Sequence, residues 1–306
     1  RQMCIRDSPL DWKTETMDSW NFTIEQSLGQ SATLSLGYVG SKGSHLSWAY
    51  NMNAANIGQG PLLGRRPFYQ SYGLSQSINM ECNCSDSNYN ALQIVFNKRL
   101  SSFYSATSNF TWGKSLGYGN NDPFNRKLNY GPGGSNIGSI DRAVVWTTLH
   151  TLDIPYGPGF HFGSDAKGVK SFLLAGWVFS GITSLQSGLA FTPSVSSNAS
   201  LNGDFTQRPN RVPGILPSSV TGGQSSALWY NPNAFSVPAC CQLGNASLGM
   251  LRGPGAINAD WSLSKNFKFS SILNRESTAV EIRAEAFNSW NNKNLGLPNA
   301  NVDASS

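Results

Sequence analysis

The sequence predicts an all-β fold: an antiparallel meander of about eight strands that forms part of a transmembrane β-barrel with long extracellular loops. Three observations lead to this prediction. Apolar and polar residues alternate with a period of two in eight segments, the connections between these segments alternate between short and long, and only 13% of the 306 residues are charged. Soluble domains usually carry about 25% charged residues, so the charge content favours a membrane protein.

The eight segments form four consecutive hairpin pairs. In the first segment, Trp20, Phe22 and Ile24 share one face, while Asn21 and Thr23 lie on the other. The predicted strands cover residues 20–28, 32–38, 90–100, 104–112, 142–154, 177–186, 259–269 and 280–286. Each has about the length of a tilted membrane strand.

The connections between the strands alternate in length. The short ones are residues 29–31, 101–102, 155–175 and 270–277, and the long ones are residues 40–87, 113–141, 187–258 and the stretch from 291 onward. Outer-membrane barrels combine short periplasmic turns with long extracellular loops, whereas a soluble sandwich has no reason to do so. The outer membrane, with its lipid as a partner, is therefore the predicted location.

Polar faces of barrel strands line the lumen and apolar faces meet lipid. We therefore expect Glu281, Arg283 and Glu285 to be lumen-facing charges, and Val280 on the same strand to face lipid. Lys265 does not fit this pattern, because it lies on the apolar face of its strand, where a charge facing lipid at the midplane costs about 2–4 kcal/mol.

Several other classes of protein are disfavoured. The net charge is +5, but Lys and Arg form no stripe, so we expect no nucleic-acid partner. Apolar runs stay below the roughly 18 residues of a membrane-spanning helix. Residues 113–117 match the G-x-S-x-G string of a hydrolase, but residues 118–123 end in Pro123 and do not predict the required helix. The three histidines lack ligand spacing. We therefore expect no enzyme, no cofactor and no metal site.

Eight ordered motifs carry a family resemblance. They are SNYNALQ (87–93), FTWGKSL (110–116), GWVFSGIT (176–183), QSG (186–188), RPNR (208–211), WYNPNAF (229–235), LRGPG (251–255) and RAEAFN (283–288). In these motifs the chain resembles the Oar-like TonB-dependent outer-membrane transporters of the acidobacterial type. The resemblance implies a 22-stranded barrel with an N-terminal plug, driven through the TonB complex.

Residues 1–8 share no pattern with the rest of the chain, so we expect them to be a non-native leader. The resemblance implies that residues 9–306 are a partial TonB-dependent receptor barrel domain, its later strands. The plug, the TonB-contacting segment and a regulatory-like domain would precede residue 1, and a closing strand would follow residue 306. The TonB complex would then bind through that missing N-terminal region.

Loop residues supply the candidate ligand contacts. The guanidinium groups of the long loops can bind an anionic ligand, and the neighbouring aromatic rings can stack on sugars. These candidates are Arg65, Arg66, Arg208, Arg211, Trp229, Tyr230 and Arg252. For the arginines we favour the alternative that they brace the loops through hydrogen bonds to carbonyl groups. For the aromatic residues, which include Phe235, the alternative is that they pack the loop closed.

Four cysteines also lie in the predicted long loops. We expect disulfides between the region of Cys82 and Cys84 and that of Cys240 and Cys241, because near-adjacent cysteines rarely bridge each other. A cysteine-rich metal-binding loop is the alternative.

The strand pattern thus predicts a barrel, and the resemblance implies an energised transporter for uptake or export of an unidentified extracellular substrate. Two alternatives stay open at this stage. One is a passive porin or surface adhesin, and the other is a secreted, soluble β-sandwich that binds carbohydrate.

Overall fold

The computed structural model describes residues 5–7, 11–101, 103–118, 129–134, 141–196, 207–268 and 279–303. These ranges contain fourteen strands, two α-helices and two 3-10 turns. The strands are β1 (Ile5–Asp7), β2 (Thr16–Leu28), β3 (Ala32–Asn51), β4 (Ile78–Ser101), β5 (Tyr104–Tyr118), β6 (Tyr130–Gly131), β7 (Val144–Asp153), β8 (Trp177–Gln186), β9 (Ala190–Phe191), β10 (Asn210–Arg211), β11 (Phe235–Ser236), β12 (Leu251–Arg252), β13 (Ala256–Lys268) and β14 (Ala279–Ala286). The helices are α1 (Pro67–Tyr72) and α2 (Gly168–Leu174), and the 3-10 turns are Leu63–Arg65 and Pro232–Ala234.

Eight long strands form one antiparallel meander, in the order β14-β13-β8-β7-β5-β4-β3-β2. Each strand therefore pairs with the next long strand along the chain, as the alternating pattern predicts. The first hairpin runs in register from Thr16 opposite Ser44 to Leu28 opposite Ala32, and its turn uses Gly29 with φ of +68°. The predicted all-β meander is confirmed.

The pairing register joins the apolar positions into continuous rows across the sheet. One row crosses seven strands through Ile24, Leu36, Ile94, Phe110, Trp146, Leu185 and Ile257. The next row, on the opposite face, runs through Glu25, Ser35, Val95, Asn109, Thr147, Ser184 and Asn258. One face of the sheet is therefore apolar and the other mostly polar.

The apolar face is open to the surroundings rather than packed against a second sheet in the described part of the chain. Phe22 is 65% exposed and Trp112 is 61% exposed. In a β-sandwich these side chains would fill a dry core. An apolar outer face is instead what a strand presents to lipid, so the sandwich alternative is not supported.

Two strands extend well beyond their predicted ends. Residues 40–51 and 78–87 were expected in a long loop, but they continue β3 and β4, which reach 20 and 24 residues. Their pairing contains irregularities between Gly43 and Trp48, and His45 has φ of +58°. Above a membrane both faces of a hairpin meet water, so the alternation of apolar and polar residues seen in 32–38 and 90–100 is lost in 40–51 and 78–87. The predicted long loop is thus shortened to residues 52–77.

The charged residue on the apolar face is explained by helix α2. Lys265 is only 4% exposed, because its ammonium group donates hydrogen bonds to the carbonyl oxygens of Phe172 and Ala175 at the end of α2. This helix lies in the predicted short connection 155–175, where the sequence pattern predicts no helix. The lysine is shielded rather than exposed to lipid. The last predicted turn, residues 270–277, lies outside the described residues.

Candidate functional site in the extracellular loops

The long connections at one end of the sheet fold together into a packed unit. We call it the loop assembly, and it comprises residues 129–134, 141–143, 187–196, 207–255 and 291–303. Its buried centre consists of Phe191, Tyr230, Ala234, Phe235, Ala246 and Leu251. This is a small hydrophobic core, separate from the sheet, and it is built from segments far apart in sequence.

Short pairings and ring contacts hold this core. Strand β9 pairs with β12, and β10 pairs with β11. The Tyr230 ring lies 6.0 Å from both the Phe191 ring and the Phe235 ring, and its hydroxyl donates to the carbonyl oxygen of Asn299 at 3.0 Å. Burial raises the pKa of the Tyr230 phenol. The tyrosine therefore acts as a neutral core residue that also anchors the C-terminal segment.

A buried carboxylate links the loop assembly to the sheet. Asp141 is 2% exposed, and one carboxylate oxygen accepts a hydrogen bond from the backbone N–H of Ser115 at 2.6 Å. The other oxygen forms an ion pair with Arg252, which also donates to the carbonyl oxygens of Asp141 at 2.8 Å and Gly188 at 3.4 Å. The Asp141–Arg252 pair thus connects β5, β12 and the start of the β8–β13 loop. Charge-assisted hydrogen bonds of this kind are stronger than neutral ones.

A second buried polar residue organises the loop between β3 and β4. Asn53 is 0% exposed, and its amide nitrogen donates to the carbonyl oxygens of Leu74 and Gln76 at 2.9 and 2.8 Å. Its amide oxygen accepts from the N–H of Phe68 at 3.0 Å. Sequence reasoning missed both Asn53 and Asp141. Neither carries a local signal, since the chain's loops are rich in asparagine and Asp141 meets Arg252 only through the fold.

The structure brings some of the predicted ligand residues together. Tyr230 lies in the core, and Trp229 donates its indole N–H to the carbonyl oxygen of Arg252 at 2.7 Å. Arg208 donates to the carbonyl oxygen of Ala246 at 3.1 Å and also to the Asn129 side chain. These contacts fix the loop assembly internally, and ligand binding by these residues stays a prediction.

The other predicted arginines lie apart from this group. Arg65 and Arg66 belong to the β3–β4 loop, where they donate to the carbonyl oxygens of Asn56 and Asn53. Arg211 lies on β10 and is exposed. Its backbone N–H donates to the Asn245 side chain at 2.7 Å. Arg65, Arg66, Arg208 and Arg252 thus donate to backbone carbonyl oxygens, as loop bracing predicts.

The predicted lumen charges occupy alternate positions on β14. Arg283 lies 2.7 Å from Glu281 and 3.7 Å from Glu285, so the three side chains form an exposed ion-pair network. In the register Arg283 stands opposite Ser264, and Glu285 stands opposite Ser262. They therefore share the polar face of the sheet, although their contact with a lumen stays a prediction.

The predicted cysteine pairing is wrong. Cys82 is bonded to Cys84, and Cys240 and Cys241 are free thiols. The Cα atoms of Cys82 and Cys84 are 5.2 Å apart, within the range for a disulfide, because both residues lie in the irregular upper part of β4. The two loops do approach each other, since the Gln59 side chain donates to the Cys240 sulfur at 3.3 Å.

Across the described residues, His, Cys, Asp and Glu side chains form no group of three or more that is placed to hold a metal ion. Neither of the described helices is long and apolar enough to cross a membrane.

Comparison with a known protein family agrees with this architecture. The profile of the outer membrane beta barrel domain family matches residues 5–306. No curated protein matches the chain. Among solved structures, the crystal structure of the outer membrane transporter YddB from Escherichia coli matches the chain with 8% identity and a TM-score of 0.43. That match covers 95% of this chain and 31% of the transporter, so the chain spans about a third of its length. The chain therefore belongs to the outer membrane beta barrel domain family, and its location is the outer membrane.

Proposed function

We propose that the chain forms part of the wall and extracellular cap of an Oar-like, TonB-dependent transporter, which moves an unidentified substrate across the outer membrane. The proposal assigns no catalytic activity to the chain. Its partners would be outer-membrane lipid, the substrate, and the TonB complex through a segment outside this chain. The family motifs described above support the transporter type.

The observation that carries the proposal is the folded loop assembly. Its loops have a buried hydrophobic centre and an ion pair whose carboxylate is buried, so they form a defined surface at the extracellular end. Recognition sites are commonly built on loops that a rigid scaffold positions. A receptor for a specific substrate needs such a shaped surface, whereas passive diffusion through a pore needs only an open mouth.

Within this assembly, Arg211 is the arginine that we propose for substrate contact. It is exposed, and the hydrogen bond that fixes its position comes from its backbone N–H rather than from its guanidinium group. An exposed guanidinium group presents several donors to a carboxylate or phosphate. Arg252, in contrast, is engaged by Asp141.

Conductance and TonB binding test the proposal. The complete protein is reconstituted in a planar bilayer, and its conductance is recorded before and during exposure to urea. We expect little conductance until urea unfolds a plug. In a separate binding assay, we expect the purified periplasmic domain of TonB to capture the complete protein. Steady conductance without urea and no capture would instead identify a passive porin. A closed barrel that does not bind TonB would favour the adhesin alternative.

A further inference from the structure

The connection between β7 and β8 presents an unusual apolar surface. Helix α2 lies within this connection at the short-turn end of the sheet, and three of its side chains are at least half exposed: Val169 at 73%, Leu173 at 50% and Leu174 at 51%. Two exposed lysines, Lys167 and Lys170, lie beside them. An apolar surface flanked by basic residues is typical of a segment that lies in a membrane interface.

The segment is continuous with the lipid-facing surface of the barrel. The Phe172 ring packs 5.0 Å from the Phe267 ring, and Phe267 lies on the apolar face of β13 in register with Val280. The indole N–H of Trp177 donates to the carbonyl oxygen of Leu173 at 3.0 Å. The helix therefore rests on the apolar side of the sheet and not over its polar side.

Lys265 fixes this arrangement. Its ammonium group binds the last carbonyl groups of the α2 segment and lies 4.8 Å from the centre of the Phe267 ring. A cation at the C-terminus of a helix satisfies carbonyl groups that would otherwise lack partners. Because the lysine comes from β13, the helix is attached to the barrel wall at the height where the strand ends.

We propose that residues 167–176 are an interfacial anchor that binds anionic phospholipid in the periplasmic leaflet of the outer membrane. The exposed apolar side chains would lie at the boundary of the acyl chains, and Lys167 and Lys170 would lie among the headgroup phosphates. Continuity with the lipid-facing surface identifies lipid as the occupant. This inference depends on the outer-membrane location and not on TonB dependence.

Fluorescence quenching tests the position of the segment. The complete protein carries C4S, C240S and C241S, so that Cys82 and Cys84 remain as a bonded pair. A further Val169→Cys substitution takes an environment-sensitive NBD label at residue 169. The matched control places the label at Leu216→Cys, because Leu216 is 63% exposed in the loop assembly. The protein is reconstituted in vesicles of phosphatidylcholine and phosphatidylglycerol that contain lipids with a nitroxide near the headgroup. Because the segment lies in the interface, these lipids should quench the label at residue 169 at least about threefold more than the label at residue 216. Aqueous iodide should show the opposite preference.

Two results would overturn the anchor. Iodide quenching at residue 169 equal to that at residue 216 would show that the segment is in water. Protection from both iodide and lipid would show that another protein surface covers it.

A second arm tests the headgroup. Replacing phosphatidylglycerol by phosphatidylcholine should reduce lipid quenching at residue 169, and the double variant K167Q/K170Q should be equally quenched in both vesicles. Quenching of the parent protein that is independent of lipid charge would overturn the assignment to anionic headgroups.

Discussion

Removing the buried carboxylate of Asp141 should loosen the loop assembly. In Asp141→Ala, Arg252 loses its ion pair and the Ser115 amide loses its acceptor. Breaking a buried pair by removing one partner costs about 3–5 kcal/mol. The Arg252 side chain is 36% exposed and water can solvate it, so we expect a smaller loss of about 2 kcal/mol. That loss corresponds to roughly a 30-fold increase in the open population.

Limited proteolysis in intact outer-membrane vesicles measures this opening. When opening and closing are fast, the cleavage rate in residues 212–230 follows the open population. Asp141→Ala should be cleaved roughly 30-fold faster than the parent protein, and Asp141→Asn, which keeps an acceptor, should lie between them. Asp165→Ala is the matched control, because Asp165 is exposed at the opposite end of the sheet.

A double-mutant cycle assigns the effect to the ion pair. If Asp141 acts through Arg252, the losses of Asp141→Ala and Arg252→Ala will not add, and the coupling energy will be about 1–3 kcal/mol. Cleavage of Asp141→Ala at the parental rate, or strictly additive losses, would refute the reasoning.

Three further predictions concern the sheet and the free thiols. Phe110 lies in the middle of β5 on the apolar face, so Phe110→Arg should lower the free energy of unfolding in urea by about 2–4 kcal/mol. Asn109→Arg, on the polar face, should lower it by less than about 1 kcal/mol. Equal losses would show that the faces are assigned wrongly. Lys265→Met should lower the free energy of unfolding by about 1–2 kcal/mol in the same urea titration, because the carbonyl groups at the end of α2 lose their donor. A stabilised variant would instead mean that the charge faces lipid. The Cys241 thiol donates a hydrogen bond to Cys240, which lowers the pKa of Cys240 and raises the pKa of Cys241. At pH values below their ordinary pKa, Cys240 therefore carries more thiolate, and mass spectrometry should find Cys240 alkylated first. Preferential labelling of Cys241 would contradict this order.

The membrane explains why the strand faces could be predicted from the sequence. Lipid accepts only apolar side chains, so positions such as Ile94 and Phe110 alternate with polar ones wherever the strand crosses it. Above the membrane this constraint ends, and the upper half of β4 reads as a loop. The eight-strand meander was thus predictable, but the full height of its longest hairpin was not.

The loop assembly was less predictable because it depends on contacts between distant residues. Asp141 and Arg252 are 111 positions apart, and neither shows in its neighbouring sequence that it has a buried partner. The Cys82–Cys84 bond was missed for a related reason. The prediction assumed an unstructured loop joined to another loop, whereas the structure places both cysteines on one irregular strand.

The height of the β3–β4 hairpin determines what an approaching molecule meets first. At about 3.3 Å per residue and a tilt near 45°, the 24 residues of β4 rise roughly 55 Å, about twice the 25 Å apolar band of an outer-membrane barrel. The disulfide and the Asn53-organised loop therefore stand well clear of the bilayer. An antibody or bacteriophage would reach this hairpin tip before it reached the mouth of the barrel, which makes the tip the natural place for an epitope tag on living cells.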